Sequence, residues 1–338
     1  MTAASATDLT AALDAVAAET SFSGVVRVDL DGHEPVEAAY GFLDRAHGIP
    51  MTADTRIAVA SGAKTFTALT VLSLVDAGTL ALDTRVRDHL GSDLPLVDDD
   101  VTVEQLLCHR SGIGDYLDES LLESTTDHVL DVPVHTLDTA ESYLAVLDGV
   151  PQVFAPGTDV AYCNGGYCVL AIVAERAAGR PFHDLVRGLV VERADLGRTA
   201  YLRSDELPGD AAVGYLDAAA PRTNVLHLPV VGGGDGGIFT TAGDVVRLWR
   251  ALEEGRLIAP ETRAEMLRAR SADPHAFALG VRRRGDAALM TGSDAGASFR
   301  SVHVPGRVTF SVLSNTTDGA WPVVGLLDGL LCGTGSTR

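Results

Sequence analysis

The stretch Ser61-Gly62-Ala63-Lys64, followed by the apolar run 66–75, decides how this chain is interpreted. The run predicts a helix, and its residues leave almost no polar face, so we expect the helix to be buried. Residues three apart share a helix face, so the Lys64 amine would reach the Ser61 hydroxyl and activate it as a nucleophile. Four residues alone do not establish this, because a helix N-cap followed by a solvated lysine has the same pattern.

Hydrophobic patterns in the rest of the chain predict helices and strands in a definite order. An amphipathic helix over 7–19 precedes two strands, 24–30 and 34–42, joined by the hairpin turn Asp31-Gly32. Further helices are expected from Thr102, over 166–178 and from Thr241. Strand patterns return late in the chain and a closing helix follows them. The late strands are 277–281, 287–290, 298–304 and 308–313, and the helix is 323–331.

Strands at both ends of the chain predict an α+β fold, in which one antiparallel sheet is flanked by helices. We expect a single domain over residues 1–338. Its sheet part would comprise 1–82 and 231–338, and residues 83–230 would form a mostly helical insert.

The composition is ordinary for a globular protein, since 46% of the 338 residues are apolar and 21% are charged. The net charge of −20 disfavours nucleic acid and anionic membranes as partners. The four cysteines (108, 163, 168 and 332) show no metal-ligand spacing, and we expect neither a metal nor a cofactor. The N-terminus lacks a signal-peptide pattern and no apolar run reaches spanning length. These features predict a cytoplasmic protein unless a leader has been removed.

Two further polar clusters lie far from Ser61 in sequence. Tyr162-Cys163-Asn164 follows a Pro-Gly turn and precedes a helix, so its tyrosine and asparagine, two apart in a loop, would point the same way. Met290-Thr291-Gly292-Ser293 lies at the end of a strand, where glycine allows a substrate to lie against the backbone. The alternatives are a turn without chemistry for the first cluster and a simple bend for the second.

Together these motifs resemble the serine β-lactamase and penicillin-binding-protein superfamily, in particular its class C branch. That branch includes D-alanyl-D-alanine carboxypeptidases, D-aminopeptidases, family VIII esterases and related acyltransferases. The resemblance implies a β-lactamase/transpeptidase-like fold and a serine enzyme. It runs through most of the chain in four main blocks, 55–68, 103–113, 154–167 and 232–244.

The resemblance assigns a role to each polar residue. Ser61 would be the nucleophile that accepts the acyl group, and Lys64 would take part in its activation. Tyr162 would act as base or acid toward the leaving group, with Lys64 as the cationic neighbour that lets it work as an anion. Asn164 would hold Lys64 and bind a substrate amide. The backbone N–H groups of Ser61 and Ser293 would form the oxyanion hole.

The predicted substrate-binding residues are Asn164, Met290, Thr291, Gly292 and Ser293. Met290 departs from the family pattern, whose members usually carry Lys or His before Thr-Gly. Because methionine carries no charge, the cleft would prefer an uncharged acyl group; alternatively, Met290 only packs a strand. One of the arginines over 282–284 could supply positive charge, although all three also fit a solvated strand end.

Cys163 and His109 are the other candidates for chemistry. Cys163 ranks below Ser61, because no histidine base stands beside it and the family fold implies that its side chain faces away from the cleft. His109 is interpreted as structural, since neither Ser61 nor Lys64 needs a histidine. The Gly-x-Ser-x-Gly elbow of α/β-hydrolases is not apparent, which disfavours that rival fold.

The sequence therefore favours a serine hydrolase or acyltransferase of the esterase or amidase type, acting through a Ser61 acyl-enzyme. Its substrate would be a small ester, amide or peptide. One alternative is a D-amino-acid peptidase or a protein that hydrolyses or binds β-lactams. Another is a catalytically inactive homologue that binds a ligand. The acyl donor, the acyl acceptor and the oligomeric state are left open.

Overall fold

The computed structural model describes residues 6–119, 122–270 and 276–332. The helices are α1 Ala6–Thr20, α2 Ala63–Asp76, α3 Arg87–Leu90, α4 Val103–Leu107, α5 Leu144–Leu147, α6 Asn164–Ala178, α7 Phe182–Val186, α8 Ala242–Glu253, α9 Pro260–Met266 and α10 Ala320–Leu327. The strands are β1 Gly24–Leu30, β2 Val36–Tyr40, β3 Phe42–Asp44, β4 Ile49–Pro50, β5 Ile57–Ala58, β6 Ala200–Tyr201, β7 Ile238–Thr240, β8 Arg282–Arg284, β9 Ala287–Asp294, β10 Ala297–Val304 and β11 Val308–Ser314.

Six strands form the main sheet in the order β2-β1-β11-β10-β9-β8, and each neighbouring pair is antiparallel. Strands from the two ends of the chain lie side by side in it, with Gly24 opposite Ser314 and Leu30 opposite Val308. The sheet is thus built from both chain ends, as the sequence predicts. Two smaller sheets, β3-β4 and β5-β7-β6, are made by strands that lie between β2 and β8 in the chain.

Side chains alternate between the two faces of the main sheet. On β1, Val26 and Val28 pack in a core with residues of α1 and α10. Val25, the neighbour of Val26, belongs to the larger core that contains α2, α6 and α8. Helices therefore cover both faces, which confirms the α+β fold class.

Helix α2 runs through the larger core. Every side chain from Ala63 to Leu74 is buried, which agrees with the predicted helix without a polar face. A short 3-10 turn, Ala60–Gly62, precedes α2 and has Ser61 at its centre. This placement puts the serine at the N-terminal end of a helix that the core holds on all sides.

The segment from 83 to 230 consists, where described, of helices, turns and loops with one two-residue strand, β6. The predicted start of α4 is confirmed. Thr102 Oγ1 accepts a hydrogen bond from the Gln105 N–H at 3.4 Å, and Gln105 Oε1 accepts one from the Thr102 N–H at 2.9 Å. This reciprocal pair is a capping box. The boundaries of the insert stay a prediction.

The strand predicted over 277–281 is not formed. Phe277 makes only an isolated bridge to Arg282, and the edge strand is instead β8, made by the three arginines themselves. The reason lies at Gly280, whose φ of +78° turns the chain against α2. A Cβ there would stand 2.1 Å from the Cβ of Ala68. The closing helix also differs slightly, since α10 starts at Ala320 and a π-helical turn follows it.

All four cysteines are free thiols. Within the three described ranges, no helix has both the length and the apolar character needed to cross a membrane.

Candidate active site

Ser61 stands between a lysine and a tyrosine. Its Oγ accepts hydrogen bonds from Lys64 Nζ at 2.9 Å and from the Tyr162 hydroxyl at 2.7 Å. The serine is only partly buried, whereas Lys64 is 5% exposed. The alternative of a solvated lysine is therefore excluded, and the serine oxygen is open to the cleft while its neighbours are packed.

Lys64 is held at three points. Besides Ser61, its Nζ donates to Asn164 Oδ1 and to the backbone oxygen of Asp235, both at 2.7 Å. An ammonium has three N–H donors, so all of them are used. Burial lowers the pKa of Lys64, but the negative charge that Tyr162 carries once it ionises, together with that of Asp235, outweighs burial and the net pKa is raised. Lys64 is consequently a cation at neutral pH.

Tyr162 is a neutral phenol in the resting site. Burial raises its pKa above the usual range, and Lys64, which lowers it, does not offset the burial. Lys64 favours the tyrosine anion, as the sequence predicts, but the effect of burial is larger and the net shift is upward. A resting phenolate is thus not the source of basicity here.

The turn that carries Tyr162 leads directly into α6. Cys163 is the N-cap of that helix, and its Sγ accepts from the Gly166 N–H at 3.3 Å. The same Sγ lies 3.6 Å from the Ile113 carbonyl oxygen, and burial raises the pKa of the thiol strongly. Cys163 is therefore a structural cap and not a rival nucleophile, as the sequence predicts.

Asn164 is the first residue of α6. Its Oδ1 accepts from Lys64, and its Nδ2 donates to the Leu117 carbonyl and to Glu119 Oε1, both at 3.1 Å. Its backbone N–H donates to Asp115 Oδ2 at 2.6 Å. The predicted contact with Lys64 is present. The predicted contact with a substrate amide stays a prediction, since the side-chain amide is already fully engaged by the protein.

Strand β9 brings the second motif to Ser61. Gly292 lies so close to the Ser61 turn that a Cβ would stand 2.2 Å from the Val59 oxygen and 2.8 Å from the Ser61 nitrogen. Ser293, the next residue, lines the same cleft as Ser61. The two proposed oxyanion donors thus come from segments in direct contact.

Met290 and Thr291 line a different recess at Ser61 from the cleft that Ser293 lines. Met290 is 1% exposed and belongs to the larger core, and both residues line a small recess with Ser61 and Lys64. Thr291 Oγ1 lies 3.5 Å from an Arg300 nitrogen. Strand packing therefore accounts for much of Met290, and its role toward a substrate stays a prediction.

Ser61 also lines a larger cleft, which has acidic and apolar walls. Three carboxylates line it: Glu119, Asp235 and Asp294. Asp235 is 7% exposed, and its Oδ2 accepts from the Tyr116 hydroxyl at 2.6 Å. Apolar residues make up much of the rest, among them Leu117, Leu130, Leu202, Leu207, Val213, Val225, Leu228 and Phe239.

Ionisation of Asp294 is disfavoured in this cleft. Burial, and then the charges of Asp235 and Glu119, raise the pKa of Asp294 to about 7. These residues were not predicted from the sequence, although Asp294 directly follows Ser293 and Asp235 lies inside the glycine-rich block 232–244. Glu119 carried no sequence signal. Among the described residues, no group of three or more His, Cys, Asp or Glu side chains is arranged to hold a metal ion.

Comparison with known proteins agrees with this site. A family model described as Beta-lactamase matches residues 9–327. The chain is 32% identical over 252 residues to penicillin-binding protein 4 of Amycolatopsis lactamdurans, which covers 70% of this chain and 60% of that protein. It is 30% identical over 276 residues to a D-aminopeptidase of Brucella anthropi, covering 78% and 49%. Esterase EstB of Burkholderia gladioli is 31% identical over 260 residues, covering 68% and 65%.

The matched region thus spans from about half to just under two thirds of the curated relatives. A solved structure matches over a larger share. The crystal structure of a penicillin binding protein from Bacillus halodurans superposes with a TM-score of 0.88 at 32% identity, covering 94% of this chain and 99% of that one. The matching family model, the fold and the arrangement around Ser61 agree, and the chain belongs to the Beta-lactamase family.

Proposed function

We propose that this protein is a serine hydrolase or acyltransferase of the esterase or amidase type that acts through an acyl-enzyme on Ser61. One observation carries the proposal: Ser61 Oγ lies within hydrogen-bond distance of both Lys64 Nζ, at 2.9 Å, and the Tyr162 hydroxyl, at 2.7 Å. A nucleophile beside two groups that exchange protons is the arrangement that covalent catalysis requires.

The resting site has one proton too many for attack. Both Lys64 and Tyr162 donate to Ser61 Oγ, so neither offers it a lone pair. Loss of one proton from this pair leaves an acceptor, either a neutral amine or a phenolate, to which the serine O–H donates. Activity then depends on the fraction of molecules in which the pair has lost that proton.

In acylation, Ser61 Oγ forms a bond to the substrate carbonyl carbon while its proton passes to the Lys64–Tyr162 pair. The carbonyl electron pair moves to the oxygen, which the N–H groups of Ser61 and Ser293 would stabilise. When the bond to the leaving group breaks, Tyr162 gives its proton to the departing oxygen or nitrogen. Water or another acceptor then attacks the ester carbonyl carbon and gives a proton to Tyr162. As the bond between that carbon and Ser61 Oγ breaks, the Lys64–Tyr162 pair passes a proton to Oγ and the Ser61 hydroxyl is restored.

A labelling experiment tests this proposal. The protein is incubated separately with p-nitrophenyl acetate, a fluorophosphonate and a penicillin, and the Ser61 peptide is examined for added mass. We expect ester turnover and fluorophosphonate labelling, both lost in Ser61→Ala. Neither turnover nor labelling in the wild-type protein would contradict the proposal and support an inactive homologue. A stable penicillin adduct without ester turnover would favour a β-lactam-binding protein.

The acidic cleft favours a second, narrower candidate: an amidase or aminopeptidase whose substrate carries an amine near the scissile carbonyl. Glu119, Asp235 and Asp294 line the cleft at Ser61, and an ammonium group would offset their mutual repulsion. The apolar wall suits a hydrophobic side chain on the same substrate. A relative of this chain is named a D-aminopeptidase, which agrees with this chemistry.

Paired substrates test the narrower candidate. The p-nitroanilides of D-leucine and L-leucine are compared with their N-acetyl forms, which have the same size class but no positive charge. We expect the free amines to be cleaved with the higher kcat/KM. Equal or faster cleavage of the N-acetyl forms would rule out amine recognition and leave the general esterase or amidase. A cytoplasmic location stays a prediction, which fractionation of the natural host would test.

A further inference from the structure

His109, one of the candidates for chemistry in the sequence, has no part in the reaction described above. His109 follows α4, and its φ of +59° is left-handed. Such a conformation costs most side chains about 1–2 kcal/mol, and glycine would adopt it freely. The position nevertheless holds a large side chain, 5% exposed, at the back of the active site.

His109 binds the backbone on both sides of Tyr162. Its carbonyl oxygen accepts from the Ala161 N–H at 3.0 Å, and its Nδ1 accepts from the Cys163 N–H at 3.1 Å. Its ring packs against the Tyr162 ring, with centroids 4.7 Å apart. One residue thus holds the turn on both sides of Tyr162 and packs against the tyrosine ring.

The surroundings of His109 keep its imidazole neutral. Because Nδ1 accepts a hydrogen bond, the proton of the neutral imidazole is on Nε2. Burial, and then the charges of Lys64 and Arg282, hold the pKa of His109 well below its usual range. The rings of Phe277 and Tyr167 also pack beside the imidazole, with centroids 4.6 Å and 5.2 Å away.

We propose that His109 is a positioning residue that fixes the Tyr162 hydroxyl at hydrogen-bond distance from Ser61 Oγ. The inference rests on the proposed function, in which Tyr162 transfers the proton. His109 touches no reacting atom and acts only through the turn that carries the tyrosine. The acceptor at Nδ1 is the decisive element, since it fixes the residue that follows Tyr162.

Three substitutions separate the acceptor from the ring. His109→Ala removes both. His109→Asn keeps an oxygen acceptor near the place of Nδ1, and asparagine tolerates the left-handed conformation. His109→Phe keeps an aromatic ring and loses the acceptor. His303→Ala is the matched control, because His303 is also a buried histidine, 7% exposed and stacked on Trp249 with centroids 5.1 Å apart.

Turnover of p-nitrophenyl acetate is measured per folded molecule. A displacement of a catalytic group by about 1 Å can lower a rate by about 10²-fold. We therefore expect kcat to fall by about 10²-fold in His109→Ala while KM stays nearly unchanged. His109→Asn should retain most of the rate and His109→Phe should not. Unchanged kcat in His109→Ala, an equal loss in His303→Ala, or a Phe variant as active as the Asn variant would each overturn the proposal.

Crystal structures of the same variants provide a readout that does not depend on activity. We expect the Tyr162 hydroxyl to leave hydrogen-bond distance of Ser61 Oγ in His109→Phe and to keep it in His109→Asn. If the hydroxyl stays in place in the Phe variant, the positioning role is wrong. Should the wild-type protein show no Ser61 chemistry at all, the proposed function fails while these structures still decide the role of His109.

Discussion

Gly292 lies against the backbone amide of Ser61, and a Cβ at position 292 would stand 2.8 Å from the Ser61 nitrogen. The same Cβ would be 2.9 Å from the Gly62 nitrogen and 2.2 Å from the Val59 carbonyl oxygen. Real Cβ atoms do not approach backbone so closely, and backbone cannot give way as a flexible side chain does. Only glycine lets β9 reach the nucleophile turn, where the two proposed oxyanion donors meet.

Gly292→Ala should therefore separate β9 from the Ser61 turn. We expect the acylation rate to fall by about 10²–10³, the cost of losing one oxyanion donor, with a smaller loss of stability. Stopped-flow acylation by p-nitrophenyl acetate measures the rate. Gly325→Ala is the control, because a Cβ there meets nothing within 4 Å and α10 should gain about 0.5–1 kcal/mol. Full activity in Gly292→Ala would contradict the oxyanion role of this edge.

The pH dependence of acylation should reflect the Lys64–Tyr162 pair. Both groups donate to Ser61 Oγ at rest, and the pKa of each is raised, so the active form with one proton fewer is scarce at neutral pH. We expect the acylation rate with a neutral ester to rise by nearly tenfold per pH unit from about pH 6 to about pH 9.

Tyr162→Phe should lower that rate by about 10²–10⁴ by removing a proton-transfer group. Tyr40→Phe is the matched control, because the Tyr40 hydroxyl donates to Asp14 at 2.8 Å away from the active site, and it should leave the profile of the neutral ester unchanged. A plateau that begins near pH 7 in the wild-type protein would show instead that one of the pair already lacks its proton at rest.

The sequence predicts much of this site because part of it is local. Ser61 and Lys64 are three residues apart, and helical geometry alone brings their side chains together. Tyr162 and Asn164 belong to one loop motif. Only the family resemblance indicated that this motif lies beside Ser61 and Lys64. The third acceptor of Lys64, the backbone oxygen of Asp235, could not be predicted, because a main-chain contact 171 residues away leaves no residue-type signal.

Electrostatic and conformational details depend on the folded surroundings and were missed for that reason. The raised pKa of Tyr162 comes from burial, which no local pattern reports. The strand pattern over 277–281 was wrong because Gly280 turns the chain against Ala68 of α2. Ala278, Leu279 and Val281 of that stretch are buried without forming a strand ladder, and hydrophobic periodicity does not distinguish the two arrangements.

Asp294 should make the stability of the protein depend on pH. Its folded pKa of about 7 lies above the usual value of 3.8, so the folded state favours the protonated carboxyl. The stability that this contributes is complete below about pH 4 and is lost as pH rises through about 7. Replacing the ionised carboxylate by an amide should therefore stabilise the protein only at the higher pH.

Asp294→Asn should raise the free energy of unfolding by about 2 kcal/mol at pH 8 and change it little near pH 4, after part of the shift is discounted for solvent screening. Urea denaturation at both pH values measures the difference. An equal effect at both would mean that Asp294 is not desolvated. The same variant should also lose most of any preference for free-amine anilides over N-acetyl anilides.

Ala60 directly precedes the nucleophile and is held in a left-handed conformation, with φ of +47°. Ala63, two residues after Ser61, has an ordinary helical φ of −59°. Both are buried, at 2% and 0% exposed. Changing either alanine to glycine removes the same buried methyl group, which costs about 0.8 kcal/mol. At position 60 the change also relieves the left-handed penalty of about 1–2 kcal/mol, and at position 63 it relieves nothing.

The two glycine variants should therefore differ in stability by about 1–2 kcal/mol, with Ala60→Gly the more stable. Guanidinium denaturation of the two variants measures this difference, provided that the unfolding free energy depends on denaturant with the same slope in both. The cost of the lost methyl group is equal in the two variants and cancels in the comparison. The rate of Ser61 labelling should fall in Ala60→Gly, since a freer backbone holds the nucleophile less firmly. Equal stability of the two variants would show that position 60 is not strained, and the turn before Ser61 would then owe its shape to packing alone.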